Sequence, residues 1–231
     1  MRQQNRFHTG FLCDGVQCNS VSKILKSDSK NKTSKKASAV AQAKGISARS
    51  TFATQRGIAV HQAARDFLQH GEIDLPAKYY PYWDNIWKSL SMLDIDPFWI
   101  EGPVIESLSH LRQGEWSAVW NKLYKYAGSP DLVANIGGVN TIVEFKTSDL
   151  LWQDRYVFND FKHYTNWHKY SQAAMQTEAY AKAFTQTTGI AIDTSIIINA
   201  TRDDSQMFII ERPELKKHLT KFHSLAKDFL A

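Results

Sequence analysis

One stretch of the sequence, residues 128–149, constrains the fold most because it encodes two neighbouring strands and the turn that joins them. Residues 130–136 and 140–145 both have the composition of strands, and the Gly137-Gly138 pair between them is typical of a tight hairpin turn. A hairpin of this kind fixes the register of two central strands. The remaining elements therefore have to be arranged around it.

The hairpin also predicts where its polar side chains lie. Side chains alternate along a strand, so Glu144 and Lys146 share one face while Val143 and Phe145 occupy the other. The turn brings Asp131, at the start of the first strand, back beside Glu144. Two carboxylates and one ammonium are therefore expected to converge at one end of a two-stranded unit.

Helical and strand-like patterns alternate along the rest of the chain. Helices are predicted at residues 20–26, about 48–70, 80–93, about 170–187 and 213–230. Further strands are predicted at 104–108, 117–126, 191–200 and 207–210, after a hairpin-like segment at 5–18 with Asp14-Gly15 as its turn. Helices, then a sheet, then a helical crossover back to the sheet predict an α/β fold with a central mixed β-sheet flanked by helices.

The length of 231 residues is at the upper edge of a single domain, and we expect one domain over 1–231. A mostly helical N-terminal part at 1–100 would precede an α/β core at 101–231. A long aromatic loop is expected at 150–167, after the hairpin.

Composition excludes several classes of protein. No run of about 18 apolar residues is present, so a membrane span and a membrane partner are not expected. The two cysteines, Cys13 and Cys18, have neither the CxxC spacing nor the number needed for a thiolate metal site, so no Fe–S cluster is expected. Two reduced thiols indicate an intracellular protein.

Positive charge is concentrated in one segment. The formal net charge is +5, and residues 23–49 contain eight Lys or Arg and one acid, Asp28. Such a segment is either a solvated flexible linker or an arm that follows a phosphate backbone.

The chemistry expected of Asp131, Glu144 and Lys146 is metal-dependent hydrolysis of a phosphodiester. Carboxylate oxygens suit a hard divalent cation, which polarises the phosphate and lowers the pKa of a bound water. A nearby lysine can position that water or neutralise charge that develops on the phosphate. The alternative for the same three residues is a surface salt bridge and a turn-capping aspartate.

Further motifs occur in a fixed order around the hairpin. RGIAVHQA contains His61 four residues after Gly57, IESL contains Glu106, and QTEAY contains Gln176 and Tyr180 one helical turn apart. Together with GSPDLVAN, VEFKTSD and the N-terminal NSVSKIL, these motifs resemble the PD-(D/E)XK nuclease superfamily. Within its RecB-type branch, they resemble the mitochondrial genome maintenance exonuclease family and its phage and bacterial relatives.

The sequence departs from that pattern in two ways. Glu144 stands where many relatives have Asp, which conserves the ligand chemistry. The segment from Leu150 to Lys169 is longer than the resemblance leads us to expect.

The resemblance implies roles for individual residues and a cofactor of one or two Mg²⁺ or Mn²⁺ ions. Asp131, Glu144, the Phe145 carbonyl and His61 would be metal ligands, and Lys146 would serve the attacking water. Glu106 would lie outside the inner ligands or bind a second ion. Gln176 and Tyr180 would orient Lys146 or the scissile phosphate.

The partner expected is DNA, in particular a single strand threaded between the helical part and the sheet. Basic and aromatic side chains interleave in the loop after the hairpin, as in sequence-tolerant single-strand binders. The residues expected to contact DNA are Lys32, Lys35, Lys36, Arg49, Arg56, Ser148, Trp152 and Arg155. Ser148 has the alternative role of a strand-end cap.

An exonuclease acting on single-stranded ends is the favoured function. A structure-selective or restriction-like endonuclease and a non-catalytic nucleic-acid-binding module are the alternatives. The N-terminus lacks the apolar region of a secretory signal, and no presequence is apparent. The cytoplasm of a bacterial or phage-infected cell is therefore favoured over a mitochondrion, and the oligomeric state is open.

Overall fold

The structure, a computed structural model, describes residues 11–13, 15–32, 46–101, 118–152 and 161–230. Several predictions fall outside this part of the chain. They concern the strand at 104–108, the ligand Glu106, the DNA contacts Lys35, Lys36 and Arg155, and the side chains of Lys32 and Arg49.

Five α-helices and nine strands are present in the described residues. The helices are α1 (Val21–Lys32), α2 (Ile46–His70), α3 (Tyr80–Leu90), α4 (Phe161–Thr188) and α5 (Arg212–Leu230). The strands are β1 (Phe11–Cys13), β2 (Val16–Ser20), β3 (Ile95–Ile100), β4 (Val119–Asn121), β5 (Tyr126–Gly128), β6 (Leu132–Ile136), β7 (Val139–Thr147), β8 (Thr194–Ala200) and β9 (Ser205–Ile210). The predicted α/β fold with helices flanking a mixed sheet is confirmed.

The larger sheet has five strands in the order β3-β6-β7-β8-β9. The predicted hairpin forms its centre, with Leu132 opposite Val143 and positive φ angles of 57° and 87° at Gly137 and Gly138. Glycine tolerates this left-handed backbone without steric cost, which explains the sharp turn. β8 runs parallel to β7 after the α4 crossover, so the sheet is mixed.

The smaller sheet has four strands in the order β1-β2-β5-β4. It pairs β2 with β5 in parallel and has antiparallel pairs at β1–β2 and β4–β5. The free cysteines Cys13 and Cys18 are buried in it, against Trp120 and Ala127. Its strand β5 leads directly into the segment that contains Asp131.

Helices cover both faces of the larger sheet. On one face, α2 and α3 pack their apolar side chains against Leu132, Val143 and Phe145. On the other face, α1, α4 and α5 pack against Val133 and Ile142. The alternation predicted for the hairpin is therefore confirmed, because Val143 and Phe145 share one core while Ile142 belongs to the opposite one. None of the described helices has the length and apolar character to cross a membrane.

Two local predictions were wrong, and one strand was not predicted. Residues 117–126 do not form one strand, because β4 and β5 are separated by a turn in which Lys125 has a positive φ of 49°. Residues 161–167 were expected in the aromatic loop but belong to α4, which already begins at Phe161. β3 was not predicted, because Pro97 suggested an end to regular structure; it is tolerated at the edge of the sheet, next to a register shift between Pro97 and Trp99.

Candidate active site

Asp131 lies immediately before β6, at the end of the central hairpin. Continuing the Leu132–Val143 register by one residue places it opposite Glu144. Its carboxylate is buried, and its Oδ2 accepts a hydrogen bond of 2.7 Å from the Phe145 backbone N–H. The predicted approach of Asp131 to Glu144 thus follows directly from the strand pairing.

His61 reaches this carboxylate from α2. Its Nδ1 lies 3.0 Å from Asp131 Oδ1. Burial alone would lower the pKa of His61, but the Asp131 carboxylate outweighs it and holds that pKa above its ordinary value. Burial would raise the pKa of Asp131, and the opposing effect of His61 and Lys146 leaves it lowered. The two side chains therefore stabilise each other as an ion pair.

Glu101 joins the pair from β3, the strand that had not been predicted. It directly follows Ile100, and its backbone N–H donates a 2.9 Å hydrogen bond to the Asp131 carbonyl. One ligand atom from each of His61, Glu101 and Asp131 lies within 4.8 Å of the others. These three residues could hold a metal ion.

Sequence reasoning missed Glu101. The available signal was an apolar run, residues 97–100, ending in an acid at a sheet edge, and Pro97 obscured it. The predicted ligand Glu106 lies outside the described residues, so its place relative to Asp131 remains a prediction.

A second cluster, Glu144 with Lys146 and Gln176, adjoins the first. Lys146 Nζ donates to Glu144 Oε1 at 2.5 Å and to Gln176 Oε1 at 3.0 Å. The Gln176 amide N–H donates to the same Glu144 oxygen at 2.7 Å. The family resemblance implied that Gln176 orients Lys146 or the scissile phosphate, and the structure places Gln176, Lys146 and Glu144 in one hydrogen-bonded group.

Glu144 is the most deeply buried member of this cluster, with 1% of its surface exposed. Burial and the neighbouring Asp131 raise its pKa to about 7, against the opposing effect of Lys146. Its Oε2 has no hydrogen-bond partner among the described residues. A buried carboxylate oxygen of this kind is rarely left without a donor or cation.

Tyr180 packs at the base of the cluster, four residues after Gln176 on α4. Its hydroxyl lies 3.4 Å from Gln176 Nε2. A Cβ added to Gly128 would lie 2.5 Å from the Tyr180 ring, so only glycine permits this contact. The ring therefore sets the position of α4 against the segment that leads into Asp131.

The described residues expected to contact DNA have neighbours within the protein. Arg56 is 2% exposed, and its guanidinium donates to Asp149 Oδ1 at 2.6 Å, to Tyr82 and to Thr147. The Ser148 hydroxyl lies within hydrogen-bonding distance of two acceptors, the Leu150 carbonyl at 2.6 Å and Asn199 Oδ1 at 2.9 Å. In the absence of DNA these side chains hold the end of β7, and their contact with DNA remains a prediction.

No family model and no curated protein matches the sequence. Among solved structures, a protein named "Putative exonuclease" from Eubacterium rectale is 16% identical, with a TM-score of 0.39 over 76% of this chain. The protein SSO0001 is 17% identical, with a TM-score of 0.29 over 63% of this chain. The chain spans 66% and 54% of their respective lengths, which is less than two thirds of each. Similarity at this level supports no statement about chemistry, which has to be inferred from the side chains of this chain.

Proposed function

We propose that this protein is a metal-dependent deoxyribonuclease, specifically an exonuclease that prefers single-stranded ends. The observation that carries the proposal is the convergence of His61, Glu101 and Asp131 within 4.8 Å, beside the buried Glu144–Lys146 pair. Few structural roles require three carboxylates, an imidazole and a lysine at one end of a sheet, whereas phosphodiester hydrolysis requires such a group.

The residues present suit Mg²⁺ or Mn²⁺. Carboxylate oxygens are ligands that both ions accept, and an imidazole is compatible with Mn²⁺. The buried Glu144 Oε2, without a partner among the described residues, is a further oxygen that would be satisfied by a cation. His61, Glu101, Asp131 and Glu144 would therefore hold the ion or ions, together with the Phe145 carbonyl that the family resemblance implies. A bound ion of this type would polarise the phosphate and lower the pKa of a coordinated water.

Lys146 would act on the substrate. Two of the three N–H groups of its ammonium face Glu144 and Gln176, and the third is available to a phosphate oxygen or to the attacking water. Gln176 accepts from Lys146 and donates to Glu144, so it fixes both groups relative to each other. Fixing donors before substrate arrives reduces the reorganisation needed in the transition state.

DNA as the substrate is supported by the charge of the chain. The net charge of +5 and the eight basic residues between Lys23 and Arg49 favour a polyanion. This segment begins in α1 and ends in the first turn of α2, the helix that carries His61, so it could close over a threaded single strand near the site. If threading is required, linear single strands are degraded and circular ones resist; equal cleavage of both favours the endonuclease alternative. We also propose that the protein acts in the cytoplasm of a bacterial or phage-infected cell.

The decisive experiment is digestion of end-labelled single- and double-stranded DNA with Mg²⁺, with Mn²⁺ and with EDTA. Asp131→Asn and Lys146→Ala should each reduce the rate by at least about 100-fold, because Asp131 would hold the metal ion and Lys146 would act on the phosphate or the attacking water. Asp203→Asn, the same change at an exposed position in the β8–β9 turn, is the matched control and should have no effect. Thermal unfolding of each variant separates loss of chemistry from loss of fold. Full activity of folded Asp131→Asn would overturn the proposal.

Glu101 and Glu106 form a second matched pair for the same proposal. Titration of Mn²⁺ into the apoprotein should show weaker binding for Glu101→Gln, by about tenfold or more, because a charged ligand is lost. Glu106→Gln should have the smaller effect. The opposite ranking would assign the ligand to Glu106, as the sequence alone suggested.

A further inference from the structure

A cavity of about 290 Å³ opens beside Lys146, between α1 and α4. Ser22, Leu25 and Lys26 line it from α1, where their spacing places them on one helical face. Lys169, Gln172 and Gln176 line it from one face of α4. The volume is near the lower end of small-molecule sites, roughly 300–1,000 Å³, and suits a single small ligand.

The walls of this cavity suit an anion that has an apolar part. Three lysines, Lys26, Lys146 and Lys169, are among the described residues that line it, and none of those lining residues is an acid. Leu25 and the ring of Trp152 provide apolar surface. Phosphate is the anion for which clustered lysines are a common partner.

Trp152 contributes its ring to the wall of the cavity. Its side chain is 4% exposed, and its indole N–H, which has no acceptor among the described residues, is itself buried. The rest of the ring is therefore the part of Trp152 that a ligand in the cavity would contact.

Lys146 and Gln176 belong both to this cavity and to the cluster around Glu144. A ligand in the cavity therefore lies next to the position at which the proposed nuclease would act on phosphate. A DNA strand that runs through an open cleft would leave a small cavity at this place without an occupant. A strand that ends at the active site would place its terminal nucleotide there.

We propose that this cavity binds the terminal nucleotide of a DNA strand, as a deoxynucleoside monophosphate, with its phosphate toward the lysines. The inference rests on the proposed nuclease function and deepens it. Hydrolysis of the adjoining phosphodiester consumes one water and leaves a mononucleotide in the cavity and a strand shortened by one residue. The protein would accordingly release mononucleotides, which separates an exonuclease from an endonuclease with the same active site.

The test is calorimetric titration of the whole protein with thymidine 5′-monophosphate, thymidine and inorganic phosphate, in EDTA so that no cleavage occurs. The nucleotide should bind at least about tenfold more tightly than the nucleoside, because a charged hydrogen bond is worth about that factor or more. Lys169→Ala should weaken nucleotide binding by about tenfold, because it removes one of the three lysines that line the cavity. Lys182→Ala, on the same helix but exposed and outside the cavity, should leave binding unchanged.

Several results would overturn the proposal. They are equal binding of nucleotide and nucleoside, equal binding of nucleotide and inorganic phosphate, no effect of Lys169→Ala, or the same loss in Lys182→Ala. If the protein binds the nucleotide but does not cleave DNA, the proposed ligand of the cavity is supported and the proposed nuclease function is contradicted. If it cleaves DNA but does not bind the nucleotide, the nuclease function is supported and the proposed ligand of the cavity is contradicted.

Discussion

Glu144 and Glu178 are two buried glutamates with similar acidity in very different surroundings. Their side chains are 1% and 5% exposed, and burial raises the pKa of each to about 7. Glu144 faces Lys146, Gln176 and Asp131. Glu178 accepts one hydrogen bond of 2.7 Å, from the Ser195 hydroxyl, at the start of β8.

These two glutamates show that burial of a carboxylate does not by itself indicate a functional role. Loss of solvation is the largest cause of the raised pKa at both glutamates, so the raised pKa alone does not mark a site. Glu144 differs from Glu178 in its neighbours, which are the Lys146 ammonium, the Asp131 carboxylate and, through Asp131, the His61 imidazole. Gln176 and Glu178 are two residues apart on α4, about 200° around the helix, and so the same helix serves both environments.

The largest expected difference between the two glutamates is in DNA cleavage. Glu144→Gln should reduce the single-turnover rate by about 100- to 1,000-fold, or about 3–4 kcal/mol, because it removes a charge beside Lys146 and the proposed metal. Glu178→Gln, the matched control, should cleave at the normal rate. Similar losses in both variants would show that the contrast between the two surroundings has no functional meaning.

The second expected difference is in stability, and it depends on pH. The pKa of Glu178 is raised from 4.5 to about 7, so its protonated form is favoured in the folded chain. Above pH 7 the buried carboxylate is ionised in both states and folding carries the full cost of its desolvation, at most about 3 kcal/mol. Below pH 4.5 this cost is absent. Glu178→Gln should therefore raise the free energy of unfolding at pH 8 by up to about 3 kcal/mol, with no gain at pH 4.

Chemical denaturation of both proteins at pH 4, 6 and 8 measures this effect. The advantage of the variant should grow as the pH rises through the interval between 4.5 and 7. A variant less stable than the parent protein at pH 8 would mean that Glu178 has a stabilising partner that outweighs its burial.

The smallest expected effect concerns Tyr180, which contacts Gln176 beside Glu144. Gly128→Ala places a Cβ 2.5 Å from the Tyr180 ring, and the displacement should cost about 2 kcal/mol of stability, within the usual range for overpacking. Gly57→Ala is the control, because its Cβ would meet Thr147 Oγ1 at an ordinary 3.9 Å. That helical change should be neutral or stabilising by up to about 1 kcal/mol.

Thermal unfolding and DNA cleavage should be measured on both glycine variants. Retention of full stability by Gly128→Ala would show that Tyr180 can move away freely, and its role in holding Gln176 would then be lost.

The parts of the site that could be predicted are those set by local pairing. The Gly137-Gly138 turn fixes the register of β6 and β7, and that register places Asp131 opposite Glu144 and beside the Phe145 N–H. The Gln176–Tyr180 spacing of one helical turn similarly predicts that both reach one point. These relations depend on short stretches of chain, in which periodicity and turn chemistry determine the geometry.

The parts that could not be predicted depend on long-range contacts. Glu101 comes beside Asp131 because β3 pairs with β6 across the sheet, and Pro97 conceals β3 in the sequence. The engagement of Arg56 with Asp149 joins residues 93 positions apart and requires α2 to lie against the end of β7. The parallel pairing of β2 with β5, which creates the second sheet, likewise leaves no periodic signal.

The face of α4 that includes Lys169, Gln172, Gln176 and Tyr180 has a consequence for how such chains can diverge. The first and last of these residues are separated by about 16 Å along the helix axis, which is three turns. Inserting one residue between them would rotate the downstream part by about 100° and carry Tyr180 away from Gly128. Natural relatives should therefore keep the spacing of these four positions and accept substitutions at the positions between them, whereas insertions and deletions should accumulate beyond Thr188, where Gly189 ends the helix.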